Sequence, residues 1–340
     1  MRKRFLNILQ YTLFLGAGIF LVWWQLKSMN QQEWDDFTQS LKGVNYWVIL
    51  PVFIMSMLSH LSRAMRWKII LEPLDYKPKL KNVFASLMVG YLANAAVPRL
   101  GELLRCTFLA RYEKLKVDKL FGSIVLERTF DFLCFLAFIA ITLLIQLDLV
   151  GGYFSKNLET IASREGMPLW LKAVLVLMVL AGGIFFLRWC RRTFPNNKIV
   201  AAVNKFTTGM ILGFSAIWKL KRKRAFLLHT LFIWAMYVLQ VYVGFNAMQS
   251  TSSLGIAAAF SVLTLATLAM IATPGGIGSF PIFVMETLLL YGISDIQGKA
   301  FGWLLWGVNT LIFIIAGVTA MLLLPYMNKS KNEVDPTDHR

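Results

Sequence analysis

The stretch VFASLMVGYLANAAVPRLGELLR, residues 83–105, decides the fold. It opens as a mostly apolar run and breaks at Pro98, which lacks a backbone N–H and so disrupts a helix. The run is short for a membrane crossing, which takes about 20 residues. Arg99, Glu102 and Arg105 then follow within one or two helical turns. The pattern therefore predicts a helix that enters a membrane, turns at the break and comes back out on the same side.

The composition indicates a membrane protein. The hydrophobic fraction is 57% and the charged fraction is 16%, against about 25% charged residues in typical soluble domains. The formal net charge is +17, but the basic residues fall between the apolar runs. That arrangement fits the positive-inside pattern of membrane proteins and not a basic surface for nucleic acid. We therefore expect membrane lipids as partners, and no nucleic acid.

The apolar runs predict an all-α polytopic membrane protein with about eight membrane segments. We interpret these as six full spans and two re-entrant broken hairpins. The full spans are predicted at residues 5–26, 46–62, 120–147, 169–187, 226–245 and 301–324. The first hairpin would comprise residues 83–97 and 100–110, and the second 254–273 and 280–291.

Basic residues set the predicted orientation. Segments 63–81, 111–119 and 188–224 carry most of the lysines and arginines, and all three lie on one side of the predicted topology. By the positive-inside rule that side is the cytoplasm. We expect an inner (plasma) membrane protein with cytoplasmic N- and C-termini and a short cytoplasmic tail, 325–340. Residues 198–224 would be an amphipathic helix on the inner leaflet or a solvated loop.

Two halves of the chain repeat one order of segments: span, span, broken hairpin, span. Residues 1–324 would form a single transmembrane domain, with 1–147 and 169–324 as inverted repeats. In transporters, interrupted segments at matching places of two such repeats indicate a binding site near the bilayer midplane. The alternative is eight full spans with ordinary Gly/Pro kinks.

The breaks themselves are predicted to be formed by proline and glycine, because glycine adopts positive φ angles at little cost and allows close approach. These residues are Pro98, Gly101, Pro274, Gly275, Gly276 and Gly278. Asn94 is expected to hydrogen-bond backbone groups that the first break releases.

Four motifs follow one another along the chain. They are Arg63-x-x-Arg66-Trp67, Gly90-x-x-x-Asn94-x-x-x-Pro98-Arg99-x-Gly101-Glu102-x-x-Arg105, Glu127-Arg128-x-x-Asp131 and Pro274-Gly275-Gly276-Ile277-Gly278. Together they resemble the lysylphosphatidylglycerol synthase transmembrane region family, the flippase-like integral membrane proteins. The resemblance covers nearly the whole chain. It implies an inner-membrane protein of about eight membrane segments.

In two-domain members of that family, this region is thought to move an aminoacylated phospholipid between leaflets, while a separate soluble domain makes the lipid. The resemblance does not extend to that soluble domain, so we expect no aminoacyl transfer from tRNA. Many relatives carry a carboxylate soon after the second break, where this chain has Pro281, with Glu286 further on.

Charged residues inside apolar segments are the candidate site, because a charge in hydrocarbon costs about 3 kcal/mol or more. We predict that substrate is bound by Arg63, Arg66, Asn94, Arg99, Glu102 and Arg105. Guanidinium groups match phosphate bidentately and keep their charge when buried. Alternatively, Arg99 and Arg105 pair with internal carboxylates, and Arg63 and Arg66 are interfacial anchors.

A second group is predicted to couple transport to an ion or to form structural ion pairs. Its members are Glu127, Arg128, Asp131 and Glu286. Glu127 and Asp131 lie four residues apart and therefore on one face of a helix. No metal or cofactor is expected, since the three cysteines are widely spaced and the three histidines are solitary.

The sequence thus predicts a flippase-like transporter that moves an anionic lipid between leaflets, and not an enzyme. The lipid would be a phospholipid or a polyprenyl-phosphate-linked lipid. The alternative is a membrane enzyme or accessory factor that acts in lipid-linked sugar or head-group transfer. A lipid-modifying enzyme is a candidate partner.

Overall fold

The computed structural model describes residue 16 and residues 18–97, 100–157 and 220–328, with scattered positions between 174 and 218. Every regular element in these ranges is helical, which confirms the all-α class for the described part of the chain. Pro98, Arg99, the predicted tail from residue 329 onward and nearly all of the predicted span 169–187 lie outside the described residues, as does most of the segment 198–224.

Ten helices are labelled here in chain order. They are α1 (18–27), α2 (Gln31–Lys42), α3 (Ile49–Leu71), α4 (Leu80–Ala96), α5 (Leu100–Glu113), α6 (Val117–Asn157), α7 (Lys223–Gly244), α8 (Ile256–Ala272), α9 (Ser279–Leu289) and α10 (Asp295–Met327). Short 3-10 turns occupy Tyr46–Val48, Glu72–Leu74, Phe245–Ala247 and Pro274–Gly276.

Four helical segments in the described ranges are long and apolar enough to cross a membrane. They are Tyr46–Leu74, Val117–Gln146, Lys223–Ala247 and Asp295–Met327. All four extend beyond the predicted spans at one end or at both, and the largest difference is in the second span, which was expected to end at residue 62. Between the first two predicted spans lies α2, whose start is fixed by a capping box between Asn30 and Glu33.

The chain divides into two compact units. The first comprises Met1–Val125 and Lys221–Arg340, and the second comprises Leu126–Leu220. The helical contacts described below lie within the first unit.

Helices α4 and α5 form one helical hairpin. At its base, the Glu113 carboxylate at the end of α5 accepts hydrogen bonds from the Lys79 backbone N–H (3.1 Å) and from Asn82 Nδ2 (2.5 Å) at the start of α4. Nearer the tip, a Cβ at Gly101 would overlap the carbonyl oxygen of Gly90. The two helices therefore cross at a distance that only glycine permits.

Helices α8 and α9 form the second hairpin. Its tip is the turn Pro274–Gly276, followed by Gly278, and Gly275, Gly276 and Gly278 have φ angles of 63°, 72° and 73°. At its base, the hydroxyl oxygens of Ser261 on α8 and Tyr291 beyond α9 lie 2.9 Å apart. Near the tip, Ser279 Oγ donates to the Ala269 carbonyl at 2.9 Å, which joins the two helices again.

The two hairpins pack along α10, one at each end. In the first part of α10, Gly302 packs against Pro281 of α9, and Trp306 Nε1 donates to the Gly275 carbonyl at 2.9 Å. In the last part, Gly317 packs against α4, and Asn328 exchanges two amide hydrogen bonds of 2.9 and 3.0 Å with Asn82. The base of each hairpin thus lies near one end of α10, and its tip points toward the middle.

The tips of the hairpins approach each other. A Cβ at Gly275 in the second tip would lie 3.7 Å from the Ala95 carbonyl oxygen near the first. The first helix supports the second tip as well, since Gln25 Nε2 donates to the Gly278 carbonyl at 2.8 Å. The first hairpin, α1 and α10 therefore all contact the second break.

Helices α3 and α7 pack side by side, and polar contacts join them at both ends. At one end, Arg222 Nη1 and Glu72 Oε1 form a 3.0 Å ion pair. At the other end, the Asn45 backbone N–H donates to the Ala247 carbonyl at 2.8 Å.

We expect Gly302→Ala to destabilise the protein, because a Cβ there would lie 2.8 Å from both Cα and the carbonyl oxygen of Pro281. Overpacking of this kind costs about 1–3 kcal/mol. The matched control is Gly307→Ala on the same helix, where a Cβ meets nothing within 4 Å. Thermal unfolding in detergent measures both variants, and equal midpoints would contradict the tight α9–α10 contact.

Candidate functional site

Two arginines of α3 are buried against α7. The exposed fractions of Arg63 and Arg66 are 5% and 0%. Arg63 Nη2 donates to the hydroxyl oxygen of Tyr237 at 3.2 Å, and Arg66 Nη1 donates to Thr230 Oγ1 at 3.2 Å. The Arg66 guanidinium also lies 5.5 Å from the ring centroid of Phe226. Because α3 continues past residue 62 to Leu71, both side chains lie inside the helix packing, and they are not exposed interfacial anchors.

A third arginine is buried between α5 and α3. Arg105 is 3% exposed, and its Cζ lies 3.7 Å from the centroid of the Trp67 ring. A desolvated guanidinium over an indole face is stabilised by about 2 kcal/mol. Trp67 is itself fully buried, and its Nε1 donates to Ser123 Oγ of α6 at 2.8 Å. The indole is thus fixed by its own hydrogen bond, which holds the guanidinium that stacks on it.

The first break is stabilised by Asn94. Its Oδ1 accepts from the Gly101 backbone N–H at 2.8 Å, one of the donors at the start of α5 that have no partner within the helix. Its Nδ2 faces Glu102 Oε1 at 3.5 Å. The geometry confirms that Asn94 bonds backbone released by the break.

Comparison with known protein families gives one match. The sequence model of the family described as "Lysylphosphatidylglycerol synthase TM region" matches residues 7–317. The chain belongs to this family. The resemblance inferred from the four motifs is therefore confirmed.

The chain is similar in sequence to the UPF0104 membrane protein MJ1595 of Methanocaldococcus jannaschii. The two chains are 23% identical, and the match covers 88% of this chain and 90% of the relative. No solved structure matches the chain significantly.

The family motifs are divided between the two units. Arg63, Arg66, Asn94, Glu102 and Arg105 lie on helices of the first unit, on α3 and on the α4–α5 hairpin. The motif at residues 127–131 lies on α6 in the second unit.

Within that motif, the side chains differ in exposure. Glu127 is fully buried, Arg128 is exposed and Asp131 is partly exposed. Glu286, predicted to belong with them, is exposed on α9. Within the first unit, the candidate site comprises the buried guanidinium groups of α3 and α5.

A cluster around His60 was not predicted as a site. Its ring centroid lies 4.8 Å from that of Tyr91 on α4 and 5.5 Å from that of Phe313 on α10. The sequence does carry one signal for it, because His60 lies three residues before Arg63 inside an apolar run. Its two aromatic neighbours come from distant segments, which a local pattern does not reveal.

The chemistry that these groups offer is anion binding. Guanidinium groups, hydroxyl groups and aromatic faces surround the buried part of α3. Among the residues that the structure describes, no group of three His, Cys, Asp or Glu side chains is placed to hold a metal ion.

We expect Asn94→Leu to lower the free energy of unfolding by about 1–3 kcal/mol, because the Gly101 N–H then loses its acceptor away from water. Asn309→Leu is the control, since the one hydrogen bond of the Asn309 side chain to a described residue goes to the Leu305 carbonyl of its own helix. Chemical or thermal unfolding in detergent compares the two. If Asn94→Leu is no less stable than Asn309→Leu, the role assigned to Asn94 at the break is wrong.

Proposed function

We propose that this protein is a flippase-like transporter that moves an anionic lipid between the leaflets of the inner membrane. The observation that carries the proposal is the burial of Arg63, Arg66 and Arg105 among apolar helices. An ionisable side chain at such a place is costly, and it is a functional candidate for that reason. The family name and the relative's name agree with a membrane protein and go no further.

The hairpins support a path through the membrane. Helix α10 has 33 residues and so measures about 50 Å, enough to cross the hydrocarbon core of about 30 Å and both head-group regions. The hairpin helices have 11 to 17 residues, about 17–26 Å, and their tips meet beside the middle of α10. We take both hairpins as re-entrant from opposite sides, related as inverted repeats.

Such tips are where a polar head group can pass. Irregular backbone at membrane depth is tolerated only where protein or a water-filled cavity shelters it. A head group crossing there would stay near hydroxyl and guanidinium groups while its acyl chains remain in the hydrocarbon. The region around the tips is therefore the proposed crossing point.

The charge of the site favours an anionic head group. Arginine keeps its positive charge when buried, and its planar donors match two oxygens of a phosphate. The Arg105 Cζ lies 3.7 Å from the Trp67 ring centroid, and this contact restrains the position of its guanidinium. A lipid with a net negative charge would gain more from this site than a zwitterionic lipid of the same size.

Surface charge supports an orientation. The end of the first unit where α3 ends and α7 begins exposes Lys77, Lys79, Lys81, Arg111, Lys114, Lys116, Lys119, Lys221, Arg222, Lys223 and Arg224. At the opposite end, Lys27, Lys42 and Lys299 are accompanied by Glu33, Asp35, Asp36 and Asp295. The positive-inside rule makes the strongly basic end cytoplasmic.

Reconstitution tests the transport. Vesicles of phosphatidylcholine with a trace of fluorescent phosphatidylglycerol report exchange between leaflets through a quencher that reaches only the outer leaflet. We expect Arg66→Gln and Arg105→Gln to slow exchange at least about tenfold, since loss of a charged hydrogen bond costs about 1.5–3 kcal/mol. Arg111→Gln is the control, because Arg111 lies on the same helix as Arg105 but is exposed.

The proposal fails if the purified protein leaves the exchange of both phosphatidylglycerol and a polyprenyl phosphate unchanged. If exchange occurs but is equally fast for phosphatidylcholine and for both arginine variants, the protein moves lipid without selecting an anion, and the site assignment is wrong.

Cysteine labelling tests the orientation, in a chain whose three native cysteines are replaced by alanine. We expect Lys42→Cys to react with a membrane-impermeant maleimide in intact cells stripped of any outer barrier. Lys116→Cys should react only after permeabilisation. The reverse pattern would overturn the assignment of the basic end to the cytoplasm.

A further inference from the structure

Gln25 of α1 is a buried glutamine beside the second break. It is 1% exposed, and its Nε2 lies 2.8 Å from the carbonyl oxygen of Gly278 and 3.1 Å from that of Leu21. A carbonyl oxygen can only accept a hydrogen bond, so the amide nitrogen has to face both oxygens. The orientation of the Gln25 amide is therefore determined, and both of its N–H groups are used.

The oxygen of the same amide has no donor. Gln25 Oε1 is buried without a hydrogen bond to any described residue. Most buried polar atoms in native proteins are paired, because an unpaired one has lost its hydrogen bonds to water. The bond to the Gly278 carbonyl explains the amide nitrogen of Gln25, but it does not explain the oxygen.

This amide lies at the start of α9, because Gly278 is the N-cap residue of that helix. The first N–H groups of a helix, here those of Ser279 and Phe280, have no acceptor within the helix. Gly278 has no side chain that could cap them, and the Ser279 hydroxyl donates to the Ala269 carbonyl instead. Such a helix start favours a negatively charged group.

Helix α1 holds the glutamine close to this helix start. A Cβ at Gly278 would lie 2.7 Å from both the Gly18 carbonyl oxygen and the Leu21 Cβ, so α1 packs directly on the turn. Gly278 also has a φ of 73°, which glycine adopts at little cost. The Gln25 oxygen and the first N–H groups of α9 are thus held at one place, the tip of the second hairpin.

We propose that Gln25 and the start of α9 bind a lipid phosphodiester whose head group carries a hydroxyl. The inference rests on the proposed function and narrows its substrate class. A phosphate oxygen would accept from the N–H groups of Ser279 and Phe280, while the hydroxyl would donate to Gln25 Oε1. The glycerol of phosphatidylglycerol and the sugar of a polyprenyl-phosphate-linked hexose both supply this combination.

The unpaired oxygen makes the site selective. An anionic lipid of the same charge that lacks a hydroxyl would leave Gln25 Oε1 without a donor. Sites built to pair with a substrate hydroxyl reject analogues that lack it, because their own polar group then stays unpaired. The N–H groups of α9 would thus respond to charge, and Gln25 would respond to the hydroxyl.

Two matched pairs of fluorescent lipids test this selectivity in reconstituted vesicles. The first pair is phosphatidylglycerol and phosphatidylethanol, which have the same charge and differ in the hydroxyl groups. The second is a hexosyl polyprenyl phosphate and the methyl ester of the polyprenyl phosphate. We expect the wild-type protein to move the hydroxyl-bearing member of at least one pair at least about fivefold faster, the effect of one hydrogen bond to a buried group. The pair that shows the difference identifies the source of the head group.

A variant tests the assignment to Gln25. Gln25→Met has a side chain of similar length without the amide, and we expect the ratio of the two rates in the selective pair to fall to about one. Gln240→Met is the control, because Gln240 is a buried glutamine of α7 and should keep the ratio. A ratio does not depend on the amount of folded protein, so a lower yield of the variant does not change the result.

The outcomes separate the two proposals. If the wild-type protein exchanges none of the four lipids, the proposed function is wrong. If it exchanges anionic lipids at equal rates within both pairs, the hydroxyl site is overturned and the transporter stands. This comparison needs no variant, so it applies even if Gln25→Met does not fold. A preference that Gln25→Met retains overturns the assignment to Gln25.

Discussion

The structure depends on one constraint: a backbone N–H or C=O released by a helix break has to find a partner, because hydrocarbon offers none. The first hairpin meets the constraint with a side chain of its own, and the second meets it with side chains of other helices. Asn94 accepts from the Gly101 N–H at the first break, while Trp306 and Gln25 donate to the carbonyls of Gly275 and Gly278 at the second. The breaks are therefore sheltered by protein, and the helices that supply these partners are held around them.

The buried arginines also depend on partners from neighbouring helices. Arg63 and Arg66 donate to hydroxyl groups of α7, and Arg105 stacks on an indole that is fixed by its own hydrogen bond. The hydroxyl groups and the aromatic face orient each guanidinium. In the proposed transporter, this orientation would serve the binding of an anionic head group.

Local features of the fold could be predicted from the sequence, and features made by distant partners could not. Proline and glycine act through their own backbone, so the breaks near Pro98 and at Gly275–Gly278 were visible as patterns, and the ordered motifs were enough to identify the family. The apolar run of the second span fades at residue 62, yet α3 continues to Leu71 because its arginines find partners on α7. The ring cluster at His60 likewise needs α4 and α10, which no window of sequence brings together.

Helix α10 contacts both hairpins, one near each end, and this has a mechanical consequence. Its first half is joined to the second hairpin through Trp306 and Gly275, and its last residues are joined to the first hairpin through the Asn82–Asn328 amide pair. A tilt of α10 about its middle would move the two hairpins in opposite directions. In the proposed transporter, this one motion would open the crossing point to one leaflet while it narrows the access from the other.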